Sequence, residues 1–275
     1  MSWYFIYKRM VKSMATPKKV LSINQMAWDG HAQQGDRWST PVSSEEIIAA
    51  KQGQWEVCLI ESKPVPREWF SDLKGLNLLA LASGGGQQAP IFAAAGAIVT
   101  VLDNSEGQLQ QDRLVAERDG LELEVVQGDM TNLSSFADES FGLVFNPVSN
   151  LFIPDVRPVW REAFRVLKPG GVLLAGFVNP MMYIFDWQKE DEGVLEVANS
   201  LPFSSLDKYS EAWLRDNGEA AEYSHSLETQ LGGQLEAGFI LTNLMESHQE
   251  QGTSPKAAMF PSYIATRAIK PESAK

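Results

Sequence analysis

A glycine turn between two apolar runs constrains the fold more than any other feature of this chain. The apolar run 78–82 enters the turn, a helical pattern follows, and a second apolar run, 98–102, ends at Asp103. A strand, a glycine turn, a helix and a strand that ends in a carboxylate make up a nucleotide-binding βαβ unit. The turn consists of Ser83, Gly84, Gly85 and Gly86. The sequence therefore predicts an α/β protein whose backbone approaches a nucleotide or nucleoside closely.

From residue 77 onward, the chain alternates between apolar strands and amphipathic helices. Fully apolar strands separated by such helices are typical of a parallel sheet covered on both faces. The predicted strands are 77–81, 98–102, 123–126, 141–145, 172–178, 239–244 and 263–269. The predicted helices are 88–95, 105–119, 156–167 and 226–237. We expect the segment 168–171 to stop the third helix, because proline and glycine do not continue one.

Two residue pairs have the spacing of a helix capping box. In such a box, the serine side chain bonds the backbone amide of the residue three positions later, and the side chain of that residue bonds the backbone amide of the serine. The two pairs are Ser43 with Glu46 and Ser105 with Gln108. Both pairs stand before a helical pattern and therefore predict where a helix begins.

The domain organisation follows from which parts of the chain alternate between predicted strands and predicted helices. Residues 1–14 are predicted to be a disordered extension, because Met14 offers a second start. Residues 15–75 lack the alternation and are predicted to form an amino-terminal cap segment. Residues 76–275 form the predicted core. Within it, the aromatic and acidic stretch 179–224 breaks the rhythm and is predicted to be an insertion that lies as a lid over the carboxyl edge of the sheet.

Charge and cysteine content restrict the partners. The formal net charge of −12 disfavours a nucleic acid, whose phosphates such a surface repels. The single cysteine, Cys58, cannot form an intramolecular disulfide and suits the cytoplasm. No apolar run of about eighteen residues marks a membrane span, and no histidine and cysteine cluster indicates a metal site. We expect a small-molecule partner, whereas the composition does not indicate an oligomeric state.

The glycine turn and the carboxylate after it each allow more than one interpretation. In NAD-binding proteins, two residues separate the second and third glycines, and helix amides hold the pyrophosphate. The glycines are contiguous here, which favours a nucleoside site without a phosphate, and a plain tight turn is the third possibility. Asp103 is placed either to bind ribose hydroxyls or to complement the positive end of the helix that follows it.

A second carboxylate follows the third predicted strand. Asp129, after Gly128, can accept a hydrogen bond from an adenine amine, and Met130 can lie against the ring. The alternatives are a turn or cap residue for Asp129 and a packing residue for Met130.

Together these motifs resemble class I S-adenosylmethionine (AdoMet) dependent methyltransferases, most of all the small-molecule branch that includes methyltransferase types 11 and 25. The resemblance rests on the order and spacing of five segments, which are 78–86, 99–103, 128–130, 141–146 and 167–171. It implies a Rossmann-like, mostly parallel sheet of seven strands in the order 3-2-1-4-5-7-6. Helices would cover both faces, and a lid insertion would follow strand 5.

The resemblance also implies roles for single residues. The 83–86 turn would lie alongside the methionine and ribose parts of AdoMet. Asp103 and its neighbour Asn104 would hold the ribose, and Gly128, Asp129 and Met130 would address adenine. Asn146 falls where family members line the methyl-transfer pocket, or else it is a loop amide that bonds nearby backbone.

The sequence departs from the family pattern at the glycine motif. Members usually carry an acidic residue shortly before the first glycine, where this chain has Ala80 and Ala82. The carboxylate that usually organises the methionine end of the site is therefore missing from this position.

Other candidate residues lie outside these motifs. Residues of the cap segment are predicted either to fold over the cofactor or to pack at the edge of the core; these are Trp28, Asp29, His31, Trp38 and Ser39. Three aromatic residues of the insertion, Tyr183, Phe185 and Trp187, shape a substrate pocket or belong to the core. His225 is a candidate base, or a structural histidine at a helix start.

The sequence thus predicts an enzyme that transfers the methyl group of AdoMet to a small-molecule acceptor by in-line displacement and releases S-adenosyl-L-homocysteine (AdoHcy). Two other classes stay open. One is a non-catalytic protein that binds AdoMet or AdoHcy as a regulator, and the other is a nicotinamide oxidoreductase, which would need the pyrophosphate glycine pattern. The acceptor and the methylated atom are not determined by the sequence.

Overall fold

A seven-stranded sheet forms the centre of the protein in the computed structural model, which describes residues 17–61, 63–248 and 255–272. Its strands are β3 (Asn77–Leu81), β4 (Ile98–Asp103), β5 (Leu123–Gln127), β6 (Phe141–Asn146), β7 (Leu167–Val178), β8 (Ile240–Ser247) and β9 (Tyr263–Ile269). A separate hairpin of β1 (Cys58–Ile60) and β2 (Lys63–Pro64) packs through β1 against β7 and β9. The predicted extension, residues 1–14, lies outside the described residues.

The strands follow one another across the sheet in the order β5-β4-β3-β6-β7-β9-β8. Counted within the sheet, this is the predicted order 3-2-1-4-5-7-6. The first five strands of the row are parallel, and β9 runs antiparallel between β7 and β8. The carboxyl ends of the parallel strands and the amino end of β9 therefore share one edge, where Val178 pairs with Tyr263.

Helices cover both faces of the sheet. The helices are α1 (Pro17–Gln34), α2 (Ser44–Lys51), α3 (Gln88–Ala94), α4 (Glu106–Asp119), α5 (Arg157–Val166), α6 (Trp187–Asp191), α7 (Ser205–Lys208), α8 (Glu211–Asn217) and α9 (Gly233–Glu236). The apolar run 78–81 of β3 explains the arrangement, because its side chains alternate between two cores. Leu78 packs with Phe92 of α3 on one face, whereas Leu79 packs with Trp160 of α5 on the other.

The predicted helix starts are largely as observed. Ser43 and Glu46 form the predicted capping box. Ser105 caps α4 by accepting a hydrogen bond from the Gln108 amide (3.1 Å). The second half of that box is absent, because the Gln108 side chain donates instead to Ser39 Oγ and to the backbone oxygen of Trp28.

The end of α5 differs from the prediction. The helix ends at Val166, and the segment 167–171 already belongs to β7. Pairing of Leu167 with Phe141 starts the strand there. A backbone hydrogen bond from Gly170 to Lys270 (2.9 Å) holds the glycine segment in the sheet.

The predicted helix 226–237 is divided. A π-helical turn, Glu228–Gly232, precedes α9. Trp160 causes the interruption, because its Nε1 donates to the carbonyl oxygen of Thr229 (3.1 Å), and such an insertion into the helical ladder produces a bulge.

Helix α1 lies in the predicted cap segment, in a stretch, 17–34, for which the sequence pattern did not predict a helix. Its residues Val20 and Ile23 are buried against Leu214 and Ala221 of the insertion. This packing joins the start of the chain to the insertion. In the described ranges, no helix has both the length and the apolar character needed to cross a bilayer.

Candidate functional site

A cleft of about 760 Å³ opens at the carboxyl edge of the sheet. The sheet order divides its walls into two parts. The glycine-turn half consists of residues that follow β3, β4 and β5; these are Ala82, Ser83, Gly84, Asp103, Asn104, Gly128, Asp129 and Met130. The hairpin half consists of residues from β1, from the ends of β6 and β7, from the start of β9 and from the insertion; these are Cys58, Ile60, Glu61, Pro147, Val148, Val178, Glu219, Glu222 and Tyr263.

Helix α1 closes one side of the cleft. Four of its residues lie three or four positions apart and therefore share one helix face; they are Leu21, Asn24, Trp28 and His31, and all of them line the cleft. Trp28 meets the ring of Phe152 edge to face, with centroids 5.2 Å apart. Trp38, which follows α1, also lines the cleft, and the Arg37 guanidinium lies 4.3 Å from its ring centroid.

Asp103 is the central polar group of the glycine-turn half. Its Oδ2 accepts a hydrogen bond from the Gly84 amide (3.0 Å), and its Oδ1 accepts one from the Ser105 amide (2.9 Å). Burial raises the pKa of this carboxyl, and the amide hydrogen bonds partly oppose that rise. Because a carboxylate oxygen can accept two hydrogen bonds, both oxygens keep capacity for hydroxyl donors.

The first glycine of the turn allows the close approach that Asp103 requires. A Cβ on Gly84 would lie 2.8 Å from Gln108 Cβ and 3.1 Å from Asp103 Oδ2. Ser83 beside it is buried in the cleft wall, and its Oγ has no hydrogen-bond partner among the described residues. An unpaired buried hydroxyl in a cleft fits a ligand that supplies a polar group.

Gly85 and Gly86 are in the predicted site but do not line the cleft. A Cβ on Gly85 would lie 2.8 Å from the backbone oxygen of Trp38, and one on Gly86 would lie 2.8 Å from that of Gln111. These two glycines therefore let the turn pack against the cap segment and α4. This differs from the prediction that all three glycines approach the cofactor.

A buried carboxylate on α4 holds the glycine turn in place. Asp112 is fully buried, and its Oδ2 accepts a hydrogen bond from the Gly85 amide (3.1 Å). Burial raises the pKa of Asp112 well above its ordinary value, and the amides of Gly86 and Gly85 lower it. The sequence has no acid at Ala80 or Ala82, but Asp112 reaches the turn from α4, the second helix after it.

The residues after β4 and β5 complete this half. Asn104 Nδ2 donates to the backbone oxygen of Leu21 (2.8 Å), which ties α1 to the end of β4. Gly128 donates to the backbone oxygen of Asp103 (2.9 Å). Asp129 Oδ1 accepts from the Thr131 amide (2.8 Å), so this carboxylate both forms a turn and lines the cleft beside the nearly buried Met130.

Asn146 lies behind the cleft and does not line it, contrary to the prediction. Its side chain is fully buried, and Nδ2 donates to the backbone oxygen of Leu81 (2.9 Å) and to Ser149 Oγ (2.9 Å). The amide therefore joins the end of β3 to the loop after β6. This is the structural alternative that the sequence left open.

His225 is also outside the cleft lining. Its Nε2 lies 3.0 Å from the backbone oxygens of both Asn150 and Ile153. Burial lowers the pKa of the imidazole. A neutral ring bonded to backbone carbonyls holds the chain in place, which does not match the predicted role of a base.

The aromatic residues predicted in the insertion do not line the cleft either. Tyr183 stacks on Phe203, with centroids 5.4 Å apart, and it reaches the cleft only through its hydrogen bond to Glu222. Phe185 stacks on Phe260 (6.2 Å), and Trp187 donates to Tyr209 Oη (2.6 Å).

The hairpin half depends on one glycine inside the sheet. A Cβ on Gly176 of β7 would lie 2.1 Å from the backbone oxygen of Leu59, so only glycine lets β1 rest on the sheet at this point. The same Leu59 oxygen accepts a hydrogen bond from the Val148 amide (3.0 Å). Through these contacts, β1 places Cys58 and Glu61 in the cleft wall.

Glu61 is the buried anchor of the hairpin half. Its carboxylate lies 3.0 Å from the Arg37 guanidinium and accepts a hydrogen bond from Tyr263 Oη (2.8 Å). Burial and the hydrogen bond to Glu61 together raise the pKa of Tyr263, so this phenol stays protonated. The group therefore joins the cap segment, the hairpin and β9.

Sequence inspection missed Glu61, Glu222, Tyr263 and Asn24. Glu61 had a usable signal, because it ends the apolar run 57–60 as Asp103 ends its own run. Glu222 stands among many acidic residues of the insertion, and no local pattern distinguishes it.

Comparisons with known proteins agree with this geometry. Residues 79–175 match the methyltransferase domain family. The uncharacterized methyltransferase YbaJ of Bacillus subtilis is 48% identical over 250 residues, which cover 90% of this chain and 97% of that protein. The sterol 24-C-methyltransferase erg6 of Aspergillus fumigatus is 37% identical over 102 residues, 36% of this chain and 27% of that enzyme.

A solved structure shares the fold. An S-adenosylmethionine-dependent methyltransferase from Mesorhizobium loti superimposes with a TM-score of 0.58 at 19% identity, over 74% of this chain and 94% of that one.

Proposed function

The chain belongs to the class I AdoMet-dependent methyltransferases, and we propose that it methylates a small-molecule acceptor bound in the hairpin half of its cleft. One observation carries the proposal: a single cleft holds a glycine turn with a strand-end carboxylate on one side and a separate polar wall on the other. Bound AdoMet supplies a methyl group activated by a positive sulfur. The chain then has to align the acceptor and exclude water.

We assign the glycine-turn half to AdoMet. The residues present suit it, because Asp103 has unused acceptor capacity, Gly84 leaves room beside it, and the Ser83 hydroxyl lacks a partner among the described residues. In this proposal Asp103 and Asn104 bind the ribose, and Asp129 with Met130 receives adenine. Gly85, Gly86 and Asp112 support the turn from behind.

The size and charge of the cleft support a small acceptor. A volume of about 760 Å³ lies within the range of small-molecule sites, and residues of α1 and of the insertion contribute to its walls. The hairpin half carries Glu61, Glu219 and Glu222, which would repel a nucleic-acid backbone. The matched sterol methyltransferase is also named for a small acceptor.

Replacement of Asp103 tests the cofactor assignment. Asp103→Ala removes the charged acceptor for the ribose hydroxyls, and we expect AdoMet binding to weaken by about 1.5–3 kcal/mol. Titration calorimetry with AdoMet and AdoHcy measures this change. Asp216→Ala, an exposed carboxylate at the end of α8, is the matched control and should bind as the wild type does.

An unchanged dissociation constant for Asp103→Ala would contradict the assignment. Transfer of a labelled methyl group to a panel of phenols, amines, thiols and sterols tests the acceptor class separately. Tight AdoMet binding without transfer to any small acceptor would contradict the acceptor proposal while leaving the cofactor site intact.

A further inference from the structure

Glu222 is a carboxylate of the cleft wall to which the proposed function gives no role. It lines the hairpin half, and its Oε2 accepts a hydrogen bond from Tyr183 Oη (3.1 Å). Among the described residues no other side chain donates to this carboxylate. Its Oε1 is therefore available to a ligand.

The backbone around Glu222 is held firmly. Glu222 N donates to Ser205 Oγ (2.9 Å), and Ser205 N donates back to the Glu222 carbonyl oxygen (2.9 Å). The preceding residue, Ala221, donates to Asn24 Oδ1 (2.7 Å) and accepts from Asn24 Nδ2 (3.2 Å). Such support fixes a side chain well enough for it to act on a bound molecule.

The charges around Glu222 come from several elements. Burial raises the pKa of Glu222, with a smaller contribution from Glu219 on the same segment, whereas the Tyr183 hydroxyl and Lys256 lower it, and the resulting pKa is about 7. Lys256 is paired with Glu190 (2.6 Å). Tyr263 of β9 also faces Glu222.

Two neighbouring groups of the hairpin half are less suited to accept a proton. Glu61 is already engaged by the Arg37 guanidinium and the Tyr263 hydroxyl. Burial, with a smaller contribution from Glu56, raises the pKa of the Cys58 thiol, which therefore stays protonated at neutral pH. Glu222 therefore has a carboxylate oxygen that can accept a proton and lies in the wall of the cleft.

We propose that Glu222 is the catalytic base that removes the proton from a hydroxyl acceptor of the phenol or enol class. The inference rests on the proposed function and deepens it. As the acceptor O–H bond breaks, its proton goes to Glu222 Oε1. The acceptor oxygen forms its new bond to the transferred methyl carbon, and the electron pair of the broken carbon–sulfur bond stays on sulfur. A neutral hydroxyl suits this wall, because it adds no negative charge to a surface that already carries Glu219 and Glu61, the latter paired with Arg37.

Binding of phenol tests the inference without turnover. Phenol keeps its proton up to about pH 9, since its hydroxyl resembles that of tyrosine, and it can donate to Glu222 only when the carboxylate is ionised. We expect the affinity of the wild type, with and without AdoHcy, to rise about tenfold between pH 6 and pH 8 when phenol binding is followed by NMR titration. Glu222→Gln should show no such rise.

The matched control is Glu192→Gln, an exposed carboxylate of the same insertion, which should follow the wild type. Equal pH dependence in the wild type and Glu222→Gln overturns the inference. So does a failure of phenol to bind where benzylamine binds, because the acceptor class would then be an amine.

Methyl transfer gives a second readout. For any phenol that is methylated, kcat/KM of the wild type should fall about tenfold per pH unit below pH 7, because the base is then protonated. Glu222→Gln should lower kcat about 100-fold or more and lose this dependence. A dependence that persists in Glu222→Gln and disappears in His31→Gln would overturn the assignment. If the wild type does not bind AdoHcy, the proposed cofactor site is wrong. If the wild type binds AdoHcy but its affinity for phenol does not change with pH, only the proposed role of Glu222 is wrong.

Discussion

The two halves of the cleft are built in different ways. The glycine-turn half comes from a continuous stretch of about fifty residues, 82–130, in which three adjacent parallel strands each end at the same edge. The hairpin half gathers residues from 58–61, 147–148, 178, 219–222 and 263. The first half follows from strand register, whereas the second depends on contacts between distant segments.

This difference implies that the halves respond separately to substitution. Asp103 and Asp129 are fixed by neighbouring strands, so that changes elsewhere should leave AdoMet binding almost intact. Glu61 and Glu222 are held by a hairpin and an insertion, so that loosening either segment should affect the acceptor first. Variants that disturb one half and spare the other test this comparison.

Gly176→Ala should have the largest effect. The new Cβ would lie 2.1 Å from the Leu59 backbone oxygen, and backbone atoms cannot move aside without displacing β1. We expect a loss of about 2–3 kcal/mol in the free energy of unfolding and loss of methyl transfer. Urea denaturation and a labelled-methyl assay measure both.

Gly232→Ala is the matched control, because its Cβ would meet only Glu228 Cγ, at 3.8 Å. It should be neutral or slightly stabilising. AdoMet affinity of the folded Gly176→Ala protein should stay within about threefold of the wild type, or less than about 0.7 kcal/mol. A drop as large as that of Asp103→Ala would show that the halves are not separable.

Asn24→Ala should have an intermediate effect. The nearly buried Asn24 side chain donates to the Phe152 oxygen (2.6 Å) and exchanges two hydrogen bonds with Ala221, so that it joins α1 to the segment that carries Glu222. Leaving these backbone groups without partners should cost about 1–3 kcal/mol of stability. The KM for the acceptor should rise more than the dissociation constant for AdoMet.

The exposed Asn217→Ala serves as control, since its Nδ2 bonds only within its own helix, and it should change stability by less than about 0.5 kcal/mol. Equal weakening of AdoMet and acceptor binding in Asn24→Ala would argue against the comparison.

Asp112→Asn should have the smallest effect, and it tests the glycine-turn half. The amide oxygen can still accept from Gly85, so that we expect a difference below about 1 kcal/mol in unfolding free energy at pH 5. The folded pKa of Asp112 is raised, so its contribution to stability is full below the unfolded pKa and is lost as pH rises through the folded pKa. The variant lacks this loss, and its stability relative to the wild type should increase with pH.

Urea denaturation at pH 5 and pH 8 measures the change. Asp119→Asn is an informative control, because the pKa of that carboxyl is lowered by Arg118 and Ser44. Its contribution to stability is complete above the unfolded pKa of an aspartate, about 3.9, so the difference between Asp119→Asn and the wild type should be the same at pH 5 and pH 8. A constant difference between wild type and Asp112→Asn at both pH values would contradict the assignment of Asp112 as a buried acid with a raised pKa.

Much of the core was predictable because its signals are local. The apolar runs of β3 and β4, the glycine turn and the Ser43 capping box are each specified by residues only a few positions apart, and the strand order followed from the resemblance. The prediction failed where a distant residue intervened. Trp160 interrupts the helix before α9, and pairing with Phe141 draws 167–171 into β7.

The sequence by itself determined the sheet, the edge at which the cleft opens and the strand-end carboxylates Asp103 and Asp129. The period of the apolar residues and the order of the elements specify these features without any knowledge of packing. Only the tertiary structure decided which residues face the cleft. In the folded protein, Asn146 and His225 form hydrogen bonds with backbone carbonyl groups and do not line the cleft, and Asp112 of α4 accepts a hydrogen bond from the glycine turn. The tertiary structure also placed Glu61 in the wall of the same cleft as Glu222, because the missing side chain at residue 176 lets a hairpin about 120 residues earlier rest on the sheet.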